Sequence, residues 1–299
     1  MQGLLLLNKP KGITSFKAVT EIKRLTGQKR AGHTGTLDPM ACGVLPILLG
    51  KATALSGLLL DSDKRYTAAV RLGTTTDTDD ITGNIISQNR VDVTCERLED
   101  ALSAFTGKIM QRPPMYSALK KNGVRLYELA RRGETVDIAE REVEIFSLNL
   151  LSGPDANNVF EVDTRVSKGT YIRSLARDLG EYLGCGACLD SLCRTYAGGF
   201  PLSRCVSLER LSSENIGGYI INEEEAVRRL REVCVTFRQA VRFCNGGQLS
   251  FDRIDLGKPE NGELFRVKHS GRFLGIGTAD CENSCLAVRC IINYPEGSD

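Results

Sequence analysis

An aspartate in a segment with two glycines is the first residue whose setting suggests chemistry. Asp38 lies in the sequence GHTGTLDP at residues 32–39, between a stretch rich in basic residues and an apolar run over residues 43–50. The glycines and the Asp-Pro step predict a loop over residues 30–39, in which Asp38 could be purely structural. Alternatively, a loop carboxylate between a positive surface and a buried strand is placed to meet a polyanion, and a nearby arginine would keep it ionised.

The elements that would position Asp38 begin at the N-terminus. The apolar run at residues 4–7 predicts a buried strand, and the Asn, Pro and Gly residues of 8–12 predict a turn after it. Thr14 or Ser15 then caps a predicted helix, which Gly27 ends. The apolar stripe of this helix is predicted to consist of Phe16, Val19, Ile22 and Leu25. The other side of the helix is basic.

Alternation and helical periodicity divide the rest of the chain into elements. Strands are predicted at residues 66–72, 143–150, 159–166, 264–267, 273–276 and 286–292. Helices are predicted at residues 98–105, 124–132 and 171–183 and in a segment that ends at Leu230, and residues 74–83 have the composition of a loop. Because the last three strands follow one another closely, as in a small all-β module, we expect a domain boundary near residue 240.

Composition indicates an ordinary globular protein. The chain has 299 residues, of which 41% are hydrophobic and 25% charged. The net charge of +2 by itself predicts no acidic partner, but residues 1–36 hold seven basic side chains against one acidic side chain. The eleven cysteines at irregular spacing favour reduced thiols in a cytoplasmic protein. Residues 4–7 are too short for a signal-peptide core, and Pro46 and Lys51 interrupt the longest apolar segment, so no membrane segment is expected.

Several common mechanisms lack their motifs. The sequence holds no phosphate-binding P-loop and no dinucleotide fingerprint, and it has two histidines. Cys185 and Cys188 with Cys193 nearby could form half of a zinc site, but a matching second pair is missing and free thiols are the preferred interpretation. The acidic residues of 76–80 could hold Mg²⁺ for a metal-dependent RNA nuclease, although a solvated turn is commoner.

A longer pattern around Asp38 resembles a known family. Residues 32–46 resemble the catalytic motif of the TruB family, synthases that form pseudouridine at position 55 in the T loop of tRNA. Similar companion blocks follow the family's order at residues 6–15, 63–66, 72–80, 114–120 and 167–180. The chain departs from the pattern at Asn8, where the family usually has Asp, and at Cys193, where it usually has Arg. Loss of that cation would weaken an RNA or structural contact without touching the chemistry.

The resemblance implies a fold and a domain organisation. We expect an α/β mixed (α+β) pseudouridine synthase fold, with a largely antiparallel central sheet flanked by helices. Residues 1–240 would form the catalytic domain. Residues 241–299 would form a small PUA-like β domain that binds RNA, an expectation based mainly on strand spacing and on residues 273–277.

The resemblance also assigns roles to residues. Asp38 would be the catalytic carboxylate, Arg173 its ion-pair partner, and Tyr66 the active-site aromatic that packs on the target base. Tyr171 and Leu192 would line the pocket of the flipped-out uridine, and His33 would contact the RNA loop beside that nucleotide as a further substrate-binding residue. The candidates for contacts with the RNA backbone are Lys9, Lys17, Lys23, Arg24, Lys29 and Arg30.

The expected function is therefore pseudouridine formation on the T-arm stem-loop of tRNA by base flipping. Because the reaction is an isomerisation, we expect no metal, no nucleotide and no other cofactor, and we expect a cytoplasmic monomer. Two alternatives stay open. One is a non-catalytic RNA-binding protein on the same fold, and the other is the metal-dependent nuclease.

Overall fold

The structure is a computed structural model that describes residues 1–117, 119–121, 123–134 and 136–296. Ala118, in the block of residues 114–120, and residues 297–299 of the expected C-terminal domain lie outside the described residues. In the described part of the chain, no helix combines the length and apolar character that crossing a bilayer requires.

Six helices and twenty strands form within the described residues. The helices are α1 (Ser15–Thr26), α2 (Ser56–Leu60), α3 (Cys95–Ala104), α4 (Leu126–Arg131), α5 (Ile172–Leu183) and α6 (Phe237–Cys244). The first ten strands are β1 (Gly3–Lys9), β2 (Ala31–His33), β3 (Cys42–Leu49), β4 (Lys64–Leu72), β5 (Thr74–Thr76), β6 (Ile85–Gln88), β7 (Gly107–Gln111), β8 (Lys120–Lys121), β9 (Val124–Arg125) and β10 (Arg141–Ser152). The others are β11 (Val159–Val166), β12 (Ala187–Ala197), β13 (Phe200–Pro201), β14 (Val206–Ser207), β15 (Ile220–Ile221), β16 (Arg231–Cys234), β17 (Leu249–Ser250), β18 (Leu264–His269), β19 (Arg272–Asp280) and β20 (Cys285–Ile291).

An eleven-stranded mixed sheet forms the frame of the molecule. Its main order is β14-β1-β3-β12-β4-β11-β10-β7, with β2, β13 and β15 paired to β3, β12 and β1. The β1–β14 and β3–β12 pairs are parallel, and the other pairs of this sheet are antiparallel. The prediction of a mixed fold with a largely antiparallel central sheet is therefore confirmed.

β1 is buried on both faces, which explains its uninterrupted leucines. Leu5 and Leu7 pack with helix α1, whereas Leu4 and Leu6 pack into a second cluster that includes Phe273 of the C-terminal sheet. A strand that is covered on both sides needs apolar residues at successive positions rather than alternation.

Two helices cover the face of the sheet against which the residues beside Asp38, Leu37 and Met40, also pack. α3 and α5 place their apolar stripes against β4, β10 and β11 in one large cluster. The predicted helix at residues 171–183 is confirmed with nearly the same bounds, and Gly184 ends it in the left-handed conformation. The first turn of α5 lies beside the sheet because Ile172 and Leu175 pack into this cluster.

A smaller unit follows the main sheet. The strands β16, β18, β19, β20 and β17 form a five-stranded sheet, and α6 packs on it. The three strands predicted after residue 260 are all present. The expected boundary near residue 240 falls inside α6, because the sheet already includes β16 from Arg231 onward.

Some predicted elements differ from the observed ones. Residues 31–33, expected in a loop, form β2, and residues 74–76 pair with β6 in a short hairpin. The helix expected to end at Leu230 is a 3₁₀ segment, Glu223–Val227. These short segments lack an apolar period of their own, so pairing with a neighbouring strand or turn decides their conformation.

Candidate active site

The loop that carries Asp38 connects β2 to β3 and is fixed along its length. The Ser15 hydroxyl, at the start of α1, donates to the Leu37 carbonyl at 3.0 Å and accepts from the Leu37 N–H at 2.8 Å. The Gly12 N–H donates to the Pro39 carbonyl at 2.7 Å. The turn after β1 and the first residue of α1 therefore hold the backbone on both sides of the aspartate.

Asp38 is paired with a buried arginine. Nε of Arg173, the second residue of α5, lies 2.9 Å from Asp38 Oδ2, and Nη2 lies 3.4 Å from Oδ1. The Arg173 side chain is 5% exposed, whereas that of Asp38 is 34% exposed. The guanidinium also donates to the carbonyls of Thr78 at 3.0 Å and Tyr116 at 2.8 Å. Backbone carbonyls thus hold the guanidinium of Arg173 on one side, and its Nε and Nη2 atoms face the carboxylate on the other.

The charges around Asp38 act on its proton affinity in opposite directions. Burial raises the pKa of the carboxyl, while Arg173 and Lys9 lower it. Asp80, whose Oδ2 lies 3.9 Å from Arg173 Nη1, also raises the pKa of Asp38. The result is a carboxyl that binds a proton more readily than an exposed aspartate and that is accessible on one side.

Buried side chains pack next to the Asp38 loop, and we call Leu37, Met40, Tyr66 and Leu192 the apolar floor of the site. Tyr66 in β4 is 7% exposed, and it belongs to the same buried cluster as Leu37, Met40 and Leu192. In that cluster Leu192, on β12, is the register partner of Ala68, two residues after Tyr66. The structure therefore brings the predicted Tyr66 and Leu192 together with the loop of Asp38.

Tyr171 stands at the entrance to α5, two residues before Arg173. The amide of the fully buried Gln111 donates to the Tyr171 carbonyl at 3.1 Å and accepts from the Tyr171 N–H at 2.8 Å. The half-buried ring lies 5.1 Å from the guanidinium of Arg141. Strand β7 thus fixes the backbone at the beginning of α5 through a single side chain.

His33 ends β2 at the start of the same loop. Burial, together with the charge of Arg194, lowers the pKa of the His33 imidazole, which favours the neutral ring. Its Nδ1 is buried and has no hydrogen-bond partner among the described residues. A half-buried neutral ring with an unused nitrogen is suited to contact a nucleotide.

The predicted RNA-backbone residues divide into two groups. Lys17, Arg24, Lys29 and Arg30 are exposed, and Lys23 is partly exposed. Lys9 requires a correction, because its side chain is fully buried and donates to the carbonyls of Pro10 and Ile13, both at 2.8 Å. Burial lowers the pKa of Lys9 to about 8. Lys9 therefore supports the turn beside Asp38 and does not face an RNA backbone.

The acidic loop considered for Mg²⁺ uses its carboxylates internally. Asp77 accepts from the backbone and side chain of Asn84, each at 2.8 Å, and Asp79 pairs with Arg177 at 3.0 Å. Asp80 accepts from the Thr82 N–H at 2.9 Å. Among the residues that the structure describes, no three His, Cys, Asp or Glu side chains are grouped to hold a metal ion.

Three residues support the site in ways that the sequence did not predict, although Asp80 belongs to the acidic loop considered for Mg²⁺. These are Gln111, Asp80 and Arg194, whose guanidinium contacts the Asp38 loop. A buried glutamine gives no periodic signal, and the partners of Arg173 come from distant loops. Arg194 did leave a signal, because an arginine within a strand that is otherwise largely buried needs internal hydrogen-bond acceptors.

Comparison with known proteins agrees with this geometry. A model of the TruB family pseudouridylate synthase N-terminal domain matches residues 23–172. A model of the tRNA pseudouridylate synthase B C-terminal domain matches residues 173–239.

Whole-chain relatives extend the match. The tRNA pseudouridine synthase B of Azoarcus sp. (strain BH72) is 45% identical over 281 residues, which cover 93% of this chain and 91% of the relative. The protein of that name from Clostridium acetobutylicum is 41% identical and covers 93% of this chain and 95% of its own length.

Solved structures share the fold. A chain of an H/ACA RNP bound to a substrate RNA containing 2′-deoxyuridine has a TM-score of 0.75 at 25% identity, covering 98% of this chain and 87% of that chain. A chain of a Cbf5-Nop10-Gar1 complex has a TM-score of 0.74 at 26% identity, covering 98% of this chain and 84% of its own.

Proposed function

The chain belongs to the TruB family of pseudouridylate synthases, and on this basis we propose that its site isomerises uridine 55 in the T loop of tRNA. The chain is an isomerase that forms pseudouridine in tRNA. The choice of uridine 55 in the T loop as the target is the more specific part of the proposal. Its support is the resemblance of residues 32–46 to the motif of synthases that act there.

The observation that carries the proposal is the pairing of Asp38 with Arg173 beside an apolar floor. Pseudouridine formation breaks the bond from N1 of uracil to C1′ and joins C5 to C1′. C5 gives up a proton and N1 gains one, so no atom is added to the RNA. A carboxylate with a raised pKa beside C1′ can act as the nucleophile, as in retaining glycosidases, or as a base toward the sugar.

Arg173 keeps this carboxylate oriented and ionised. Its guanidinium contacts both carboxylate oxygens, at 2.9 and 3.4 Å, and its other bonds go to backbone carbonyls. Since the arginine is held by the protein, Asp38 needs little reorganisation when it meets the sugar.

The remaining residues act on the base. Tyr66 stacks on the uracil ring, and Leu192 and Tyr171 close the pocket around it, so that a released base rotates without leaving. His33 contacts the RNA loop beside the extruded nucleotide. These contacts offset the cost of unstacking, which is a few kcal/mol.

The surface of α1 and of the segment that follows it to residue 30 contacts the RNA backbone. Lys17, Lys23, Arg24, Lys29 and Arg30 are open or partly open to solvent, and such residues position RNA without reading its sequence. The unit that begins at β16 acts as a PUA-like RNA-binding domain. The protein works as a monomer in the cytoplasm, where its substrate is unmodified tRNA.

Tritium release tests the proposal. A tRNA transcript with 5-tritiated uridine is incubated with the protein and EDTA, without any nucleotide. We expect release with the RNA chain intact, and we expect Asp38→Asn to slow it by about a thousandfold or more. Replacement of uridine 55 by cytidine should abolish release from an otherwise identical transcript.

Other outcomes would contradict the proposal in distinct ways. Tight RNA binding without release would favour the non-catalytic RNA-binding protein. Strand cleavage on addition of Mg²⁺ would favour the nuclease and direct attention to Asp77. Release that persists with cytidine at position 55 would retain the isomerase and reject the T-loop target.

A further inference from the structure

Arg194 is a fully buried arginine that binds the Asp38 loop from its other side. It lies in β12 and is 1% exposed. Its Nη2 donates to the Gly35 carbonyl at 3.0 Å, and its Nη1 to the Thr36 carbonyl at 3.4 Å. Nε donates to the Val44 carbonyl, on β3, at 2.8 Å. One guanidinium thus links the beginning of the loop to the strand that follows it.

The charge of Arg194 has no acidic partner in the described part of the chain. The ion pairs of those residues include Arg173 with Asp38 and Arg177 with Asp79, but none with Arg194. A buried cation without a carboxylate costs stability unless polar groups surround it. Here backbone carbonyls supply that compensation, so the position of the guanidinium and the position of the loop depend on each other.

The backbone of Arg194 is fixed as well. Arg194 is the register partner of Gly43 in the parallel pair of β12 and β3. A Cβ at Gly43, whose φ is +106°, would lie 2.3 Å from the Arg194 carbonyl oxygen. The two strands therefore approach here at a distance that admits only glycine. This contact leaves the arginine little freedom to shift relative to β3.

The loop has independent anchors on either side of the aspartate. Arg194 holds Gly35 and Thr36 upstream, whereas Gly12 holds Pro39 downstream. These anchors and the two bonds of Ser15 to Leu37 together set the position from which Asp38 meets Arg173, so we expect each part of the loop to contribute. A displacement upstream would lengthen the 2.9 Å contact between Asp38 and Arg173.

We propose that Arg194 is a positioning residue for the reaction, which sets the approach of the Asp38 carboxylate to C1′ through the carbonyls of Gly35 and Thr36. The inference rests on the proposed function. It assigns Arg194 no contact with the RNA.

The test compares Arg194→Lys and Arg194→Met with Arg71→Met. Arg71, on β4, joins that strand to β12 through a 2.6 Å ion pair with Asp190, so its loss controls for a missing arginine that links β12 to a neighbouring strand. Each variant is assayed for unfolding in urea, for the Kd of a T-arm RNA, and for the single-turnover rate of tritium release at saturating protein.

We expect the single-turnover rate to fall about 100-fold in Arg194→Met and about tenfold in Arg194→Lys. Lysine keeps the positive charge but loses the planar guanidinium, whose N–H groups reach several carbonyls at once. The Kd should stay within about threefold, since the binding surface is intact, and Arg71→Met should keep the wild-type rate. A purely structural role would change the urea midpoint and leave the rate of the folded protein unchanged.

A wild-type rate in folded Arg194→Lys would overturn the proposal, as would an equal loss in Arg71→Met. If Arg194→Met does not fold, the lysine variant decides alone. Failure of the proposed function is recognised separately, because wild-type protein would then release no tritium from the same RNA.

Discussion

At the scale of single residues, the Asp38 carboxyl is subject to opposing influences. Burial and Asp80 raise its pKa, and the two cations Arg173 and Lys9 lower it, with burial the largest of the four effects. A carboxylate with raised proton affinity is a stronger base and nucleophile than an exposed one, provided that it stays ionised at the working pH.

The raised pKa predicts the acid side of the pH profile. As the pH falls, Asp38 takes up its proton at a higher pH than the ordinary value of 3.8, and kcat/KM falls with it. Asp80→Asn removes an influence that raises the pKa, so its acid limb should move to lower pH. The measurement is tritium release from pH 4 to 8, with circular dichroism to verify folding. An acid limb that stays in place or moves upward in Asp80→Asn would contradict the assignment.

The proximity of distant residues was predictable where a long motif included them, but the environment of a single residue was not. The motif singled out Asp38, Tyr66 and Arg173, which the structure brings to one end of the sheet. Lys9 looked like a surface cation because its neighbours are polar. Its burial depends on the turn carbonyls that it binds, and no local pattern encodes those.

Cys193 shows what a departure from the family pattern means here. It is the register partner of Cys42, and burial together with the Cys42 thiol raises the pKa of Cys193 to about 12. The cation usually found at this position is therefore replaced by a neutral group between two strands. The neighbouring Arg194 remains to bind the loop.

At the scale of elements, the start of α5 carries both Tyr171, at the N-cap position, and Arg173, in the first turn. The helix has no side-chain cap of its own, and the distant Gln111 on β7 supplies hydrogen bonds to Tyr171 instead. The position of the helix start is therefore set by the edge strand of the main sheet. A change in β7 would reach the start of α5 through the Gln111 amide, and the Ser174 hydroxyl adds a bond to the carbonyl of Arg112, directly after β7, at 2.8 Å.

Replacement of this glutamine should affect stability and activity together. Gln111→Leu leaves the N–H and carbonyl of Tyr171 without these partners, which should lower the free energy of unfolding by about 2 kcal/mol. We also expect slower tritium release, because Arg173 follows Tyr171 by two residues, in the first turn of α5. Urea unfolding and single-turnover assays measure both. The control is Gln88→Leu at an exposed position of β6, and an equal effect of the two variants would refute the role of Gln111.

Helix α1 shows why an element can be predicted while its buried face is not. Thr14 and Gly27 bound it as expected, but Phe16 is 78% exposed. The buried positions are Ser15, Ala18, Val19 and Ile22, which follow the true helical spacing of three, four and seven residues. The prediction followed apolar residue types, and it missed Ser15 because a serine that binds Leu37 carries no apolar signal.

At the scale of the whole molecule, the two sheets share a core. Leu4, Leu6 and Leu48 of the main sheet pack in one cluster with Phe273 and Ile292 of the C-terminal unit. Because of this cluster, the C-terminal unit and the main sheet are packed as one structural body. The spacing of strands predicted the unit itself, but the contact between the units depends on faces that no local pattern reveals.

The shared core predicts that the two units unfold together. Urea unfolding followed by circular dichroism and by tyrosine fluorescence should give one coincident transition. A chain that ends at Leu230 should be less stable, because the apolar face of β1 loses its cover. As a control, a protease site inserted between Leu230 and Arg231 permits cleavage with both parts retained, and the cut protein should stay associated. Two separate transitions would show that the units are independent.

The pairing of β1 also has a consequence for synthesis on the ribosome. β3 follows β1 closely, but the strands β14 and β15 on its other edge lie about 200 residues later in the chain. At a translation rate of roughly 5 to 20 residues per second, synthesis of these partner strands follows that of β1 by on the order of ten to forty seconds. During that interval the nascent chain presents an unpaired apolar edge, so chaperone capacity and translation speed, rather than the final stability, should govern the yield of folded enzyme.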